Sequence, residues 1–456
     1  MPFEDELAAA LPDQGLVTDP DVLESYRRDR TVWVDPGQPR AAVLPTTTEQ
    51  VAAAVRIAAA HGVPVLPRGA GSSLAGGATA TDGCLVVSLE RMDRILGVDA
   101  DERLAHVEPG VVNADISTAS ADDGLFYPPD PASQTYATIG GNIATNAGGL
   151  CCVKYGVTRD HVERLEVVLA DGTVIETGSL TVKGVAGLDL TSLFVGSEGQ
   201  LGIVTRASLR LRPAPDGAAT LVAFFPRLSA AGDAVARVAR DGLALSLIEI
   251  MDHGTIEAVE RLQPMGLDRD AAALMLMQSD AAEPLRTAQI ERAVELCDAA
   301  GASYTAATSD LDEGEMLLQA RRLAGTAVDE VAGMAIHEDV CVPRSKVPEL
   351  IGRIEDITDR FGIRSATLGH AGDGNLHPTL LVDDDEDGRE AGLHAFDAMI
   401  GATLDLGGTI SGEHGLGSIK GRFLEREVGA DNLAVQRSIK RALDPDGVFV
   451  AGQWLG

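Results

Sequence analysis

Residues 127–162 read YPPDPASQTYATIGGNIATNAGGLCCVKYGVTRDHV. Two glycine pairs, small hydroxyl side chains, Asn142 and Asn146 leave backbone N–H and C=O groups uncovered over a long stretch. Such a surface suits a ligand approached by backbone more than a packed helix face. An earlier glycine-rich stretch, PRGAGSSLAGG from Pro67, follows the apolar run VPVL, and a later one, GSEGQLGIVT, spans 196–205. A Rossmann loop needs G-x-G-x-x-G opening a helix, but after Gly69 and Gly71 the third position is Leu74, and turn and strand signals follow. The loop alone leaves two readings open, a backbone nest for a pyrophosphate and a tight glycine turn. The 127–162 stretch favours the nest.

Around these stretches the pattern is mixed. AAVLPTTTEQVAAAVRIAAAHGVPVL reads as strand, Thr-capped Ala-rich helix and strand, a βαβ unit. CLVVSL, RILGVD and LAHVEPG read as strands, and LEVVLADGTVIETG carries the Asp-Gly turn of a hairpin. From Thr220 onward strands and helices alternate, which suits an antiparallel sheet with helices on one face, and the last forty residues read as two helices. DDDEDG at 383–388 resembles the start of a calcium loop, but His394 stands where a bidentate Glu is needed, so it reads as a solvated acidic turn.

The chain has 456 residues, 37 Lys plus Arg against 69 Asp plus Glu, and a net charge of -32, which repels nucleic acid and anionic lipid. An anionic small molecule is not excluded, because salt screens distant charge over about 10 Å. No apolar run approaches the roughly 20 residues of a membrane span, and the N-terminus has no signal-like pattern, so the expectation is a soluble, cytoplasmic protein. The five cysteines form no CxxC that could hold an iron-sulfur cluster or structural zinc.

With the three glycine-rich stretches in this order, the chain resembles the FAD-linked oxidases of the vanillyl-alcohol oxidase type, and within them the D-2-hydroxyacid dehydrogenases, which include D-lactate dehydrogenase (cytochrome) and the glycolate oxidase flavin subunit. The resemblance implies an α+β architecture. A two-subdomain PCMH-type FAD-binding domain would occupy 1–215, and an α+β cap with an antiparallel sheet and the metal site 216–415. C-terminal helices over 416–456 would complete the FAD site. It places the pyrophosphate near Pro67, Arg68, Gly69, Ala70, Gly71, Ser72 and Ser73. The rest of the FAD would run along Pro131, Ser133, Ile139, Gly140, Gly141, Asn142, Thr145, Asn146 and Gly148, with Ile203 a further contact. Relatives that bind flavin covalently use a His in the pyrophosphate loop, and PRGAGSS has none, so noncovalent FAD is expected.

GHAGDGNLH (369–377) and SGEHG (411–415) carry the remaining chemistry. AGDGN between His370 and His377 breaks any helix and predicts a hairpin that brings the imidazoles together, with Asn375 on the face of His377. Two imidazoles and the carboxylate of Glu413 suit Zn²⁺ or Mn²⁺. A lone histidine is more often structural, and His61, His106, His161, His253 and His394 keep that reading. In the related dehydrogenases the corresponding residues bind a divalent metal and the next His, here His414, is the base. The resemblance further assigns Arg322 to the substrate carboxylate and Thr326 to a nearby polar contact, while Arg321 reads as part of an exposed helix face.

The expected function is therefore oxidation of a small D-2-hydroxy acid, of the D-lactate or glycolate type, to the 2-oxo acid. His414 would take the proton and flavin N5 the hydride. Electrons would pass to an external acceptor: a quinone, a cytochrome, an electron-transfer flavoprotein or an iron-sulfur subunit. A homodimer stays open. The alternatives are a metal-dependent hydrolase with merely structural glycine loops and a non-catalytic flavin carrier subunit.

Overall fold

The computed structural model describes residues 1–11 and 15–455. The chain divides into two compact units, the first comprising 1–148, 156–214 and 413–456, the second 149–155 and 215–412. The sequence reading sets the joints after 215 and 415. In the structure the chain leaves the first unit after Ala214 and re-enters it at Glu413, and a short excursion over 149–155 belongs to the second unit. Leu150 explains the excursion, because it is buried in the core of the second unit, where Tyr155 also donates to Asp280. Glu413, expected at the end of the cap, instead opens the last segment of the first unit.

The first unit contains two main sheets. In the smaller, Ala41–Val43 and Val65–Arg68 both run parallel to Leu85–Ser88, which lies between them. The helix Thr48–Ala60 makes the crossover. Its N-cap Thr47 accepts from the Gln50 N–H, a contribution of about 1 kcal/mol, and Val51, Ala54, Val55 and Ala58 form its buried face. The larger sheet is antiparallel, in the order Ile95–Asp99, Leu104–Val107, Ile203–Arg210, Val162–Val168, Val174–Gly178. The expected hairpin turns at Asp171-Gly172, where the Asp171 carboxylate accepts from the Thr173 N–H and Gly172 takes φ +76°.

The second unit is built on one eight-stranded antiparallel sheet whose centre is Ala219–Phe225, Ala273–Ser279, Leu247–Asp252 and Arg364–His370. Helices cover both faces, not one as expected. Val222 and Phe224 pack with residues of the helices His253–Leu262 and Leu311–Val331. The alternate residues Leu221, Ala223 and Phe225 are equally buried on the opposite face. The uninterrupted apolar runs in these strands are the signature of a sheet covered twice, where one wet face would have required alternation.

Near the C-terminus, SIKGRFLEREVG forms two short helical pieces, Gly417–Lys420 and Leu424–Val428, followed by the helix Ala430–Leu443. Among the described residues no helix is long and apolar enough to cross a membrane.

Candidate active site

The first unit holds a cleft where the glycine-rich stretches converge. Pro67, Gly69 to Ser73, Pro131, Ser133, Gly141, Asn142, Thr145 and Gly148 line it, and so do Glu413 and His414. Five residues expected beside FAD do other work. Ile139 and Ile203 lie in hydrophobic cores, and Gly140 packs on Pro109. Asn146, at φ +54°, ends the helix Ile139–Thr145 and accepts from the Arg159 N–H. Arg68 turns away from the cleft wall and donates to the carbonyls of Ala78 and Arg28, fixing the loop from behind.

The wall is mostly backbone. A Cβ on Gly69 would lie 2.6 Å from Thr138 Oγ1, so the loop can pack this closely only without a side chain. A Cβ on Gly141 would meet nothing nearer than Thr138 Oγ1 at 3.7 Å, and any larger side chain would fill the cleft. Bare N–H groups on such a surface fit the phosphates and polar chain of a dinucleotide.

Glu198, quoted in GSEGQ but given no role, also lines this cleft. It is a non-glycine residue at φ +51°, and its carboxylate accepts from the N–H groups of Leu416 and Gly417. Burial pushes its carboxyl up from the ordinary range, and those two N–H groups pull it partly back. The segment carrying Glu413 and His414 is thereby anchored two residues downstream within the same unit.

The second unit gathers charged side chains where its sheet is most buried. His370 ends the strand Arg364–His370 and His377 lies on Asn375–Val382, joined by the expected hairpin, with ring centroids 5.2 Å apart. Each imidazole has a buried carboxylate nearby. Glu249 Oε1 lies 2.8 Å from His370 Nδ1, and Asp339 Oδ1 lies 3.7 Å from His377 Nδ1. Asp339 also accepts from Asn375 Nδ2 at 2.7 Å, from Ser411 Oγ and from the Gly412 N–H. Gly412 is required there, because a Cβ would sit 2.3 Å from Asn375 Nδ2.

The two adjacent arginines are placed opposite to expectation. Arg321 is 3% exposed, and its Nε–H donates to Glu249 Oε2 at 2.6 Å. Arg322 is exposed and pairs with Glu315, and Thr326 is exposed as well. The reason is helix phase: Leu318, Arg321, Ala324 and Val328 form the buried stripe of Leu311–Val331, and the next residue points about 100° away. That spacing was readable in the sequence. So was Glu249, the one charge inside the apolar run LIEIM, whereas Asp339 carried no comparable signal.

Residues 39–178 match the family described as FAD binding domain, and 214–453 match FAD linked oxidases, C-terminal domain. The chain is 39% identical to the glycolate oxidase subunit GlcD of Bacillus subtilis, over 91% of this chain and 88% of that protein. It is 36% identical to a D-lactate dehydrogenase of Archaeoglobus fulgidus, over 94% and 95%. Among solved structures, p-cresol methylhydroxylase with bound substrate superimposes with a TM-score of 0.79 at 18% identity, covering 99% of this chain and 96% of that one, a likeness of fold. Matched by these family models over most of its length, the chain belongs to the FAD-linked oxidases, flavin-dependent oxidoreductases.

Proposed function

We propose that this oxidoreductase converts a small D-2-hydroxy acid to the 2-oxo acid, using noncovalent FAD and a divalent cation, Zn²⁺ or Mn²⁺, held by His370, His377 and Glu413. Arg321 carries the reading. A guanidinium offers five N–H donors. Here only Nε–H is engaged, so a buried cation keeps both terminal nitrogens unbonded among the described residues. A substrate carboxylate can engage both at once, in the bidentate pairing that favours arginine at such a place. The relatives' names, glycolate oxidase and D-lactate dehydrogenase, denote enzymes of acids with that head group.

FAD, held along the glycine-lined cleft, would supply the hydride acceptor, and a cation on His370, His377 and Glu413 would supply polarisation of the substrate hydroxyl. Arg321, in place of Arg322, pairs with the substrate carboxylate. Asn375, whose amide NH₂ donates to Asp339 and to the Val340 carbonyl, keeps Oδ1 as the acceptor for the substrate hydroxyl. His414 takes the hydroxyl proton, a contribution of typically 10² to 10⁴ in rate for a positioned base. Glu413 follows Gly412 by one peptide bond, and Gly412 is itself held by Asp339, which supports Glu413 as the carboxylate ligand. The two electrons taken up with the hydride then pass to an external acceptor.

The test is a panel of 2-hydroxy acids added to the purified protein without oxygen. Bleaching of the flavin by glycolate or by a D-2-hydroxy acid, and not by the L form of a chiral acid, is the expected result. A colourless protein, or a yellow one that no hydroxy acid bleaches, would overturn the reading. Acid precipitation should leave the flavin in the supernatant; a yellow pellet would show a covalent link.

A further inference from the structure

We infer that Glu249 is a positioning residue that couples recognition of the substrate anion to metal binding, one carboxylate fixing both Arg321 and His370. This rests on the function proposed above and goes one step behind it, to a residue that touches neither substrate nor metal. Glu249 stands in the strand Leu247–Asp252, hydrogen-bonded to neighbouring strands on both sides. It is 1% exposed, and its two oxygens have different partners, Oε2 the Arg321 Nε–H at 2.6 Å and Oε1 His370 Nδ1 at 2.8 Å. A carboxylate buried this deeply is destabilising unless both oxygens are satisfied, and these two contacts satisfy it.

Each contact sets the chemistry of the group it holds. A carboxylate oxygen accepts, so the shared proton sits on His370 Nδ1 and the ring's lone pair falls on Nε2, the tautomer a cation needs. On the other side, engaging Nε–H turns the guanidinium so that its terminal nitrogens, which make no bond among the described residues, form the edge offered to an anion. Asp339 cannot do the same, because its oxygens are committed to Asn375, Ser411 and Gly412. The two side chains thus meet one carboxylate, carried by a strand that is paired on both sides.

Glu249→Gln removes one acceptor, since an amide has one oxygen and its NH₂ would face a second donor. The full-length FAD-loaded protein is compared with wild type for Zn²⁺ affinity by chelator competition, and for KM and kcat on the best hydroxy acid. Glu249→Gln should weaken Zn²⁺ about 10- to 100-fold, as loss of a carboxylate behind a metal-bound His does, and raise KM together with it. Glu249→Asp, which keeps two oxygens, should recover part of both. Arg321→Lys should weaken Zn²⁺ by about twofold or more through the shared carboxylate, as contacting residues do, and should add nothing further in the Glu249→Gln background. A purely structural Glu249 would lower thermal stability and leave Zn²⁺ affinity as it was, which would overturn the inference. So would a change in only one of Zn²⁺ affinity and KM. Wild-type protein that bleached with hydroxy acid but bound neither Zn²⁺ nor Mn²⁺ would overturn the metal reading and this coupling together. Normal metal and substrate binding in Glu249→Gln would overturn the coupling alone.

Discussion

The cleft of the first unit and the charged cluster of the second are built in opposite ways. The cleft is lined by loop and helix backbone, with glycines at 69, 71, 77, 141 and 148, and its specificity lies in where side chains are missing. The cluster is made of side chains buried to within a few per cent, Glu249, Arg321, Asp339, His370 and His377, each engaging another. A backbone site is carried by contiguous residues and tolerates change in the side chains around it. A side-chain site collects residues from distant strands and helices and fails when one partner is removed, because the others are left buried and unpaired.

The largest effect should come from the cluster. His370→Ala removes a proposed metal ligand and leaves one Glu249 oxygen facing a void. Turnover should fall by about 10³ or more, equivalent to roughly 4 kcal/mol of barrier. Elemental analysis should show lost metal while the flavin absorbance per chain stays at the wild-type value, because no cleft-lining residue is altered. Loss of flavin along with metal would erase the distinction between the two sites.

Arg321→Met should come next. Removing one member of a buried charge pair typically costs about 2 to 5 kcal/mol, so kcat/KM should fall by about 30-fold or more, mostly through KM, with some loss of stability from the abandoned Glu249. Steady-state kinetics beside thermal unfolding separates the two. An unchanged KM would mean that the substrate carboxylate is bound elsewhere.

The same contrast explains what could be read in advance. The glycine-rich stretches announced the cleft because each is one continuous piece of chain, and Gly69 to Ser73 do line it. The βαβ unit and the Asp171-Gly172 hairpin were legible because local signals, Thr47 as cap and an Asp-Gly turn, act within a few residues. The histidine hairpin was legible for the same reason. The excursion 149–155 was not, since Leu150 belongs to a core formed by strands that begin some seventy residues later. Nor was the partnership of Glu249 with Arg321 and His370, which links three separate elements. Helix phase could have chosen Arg321 over its neighbour, and covering helices on both sheet faces could have been inferred from the unbroken apolar runs.

A change in the cleft should act on the flavin alone. Gly141→Val adds atoms to the open side of the wall, in a helix that accepts a β-branched residue at a cost of about 0.7 kcal/mol or less relative to Ala. The protein without flavin should therefore keep its stability to within about 1 kcal/mol, while FAD affinity falls by about tenfold or more through overpacking against the cofactor. Fluorescence titration with FAD checks the affinity, and metal content should not move. Equal FAD affinity in the variant would show that the cofactor does not approach this wall.

The smallest effect is expected at Arg322, and it matters because this residue, one position from Arg321, is the one the resemblance selects. Arg322 pairs with Glu315 across the exposed face of Leu311–Val331. Both partners are about half exposed, at 47% and 58%, so water and salt screen the pair and it should contribute at most a few tenths of a kcal/mol. Arg322→Ala removes that pair and puts the best helix former in its place, two small terms of opposite sign. Unfolding midpoint, KM and kcat should all stay close to wild type, within about 0.5 kcal/mol or twofold. Measured beside Arg321→Met, this is a comparison of two neighbouring guanidiniums that differ in helix phase alone. A KM raised tenfold in Arg322→Ala, with Arg321→Met unaffected, would return the carboxylate contact to Arg322 and require this helix to turn by about 100° when substrate binds.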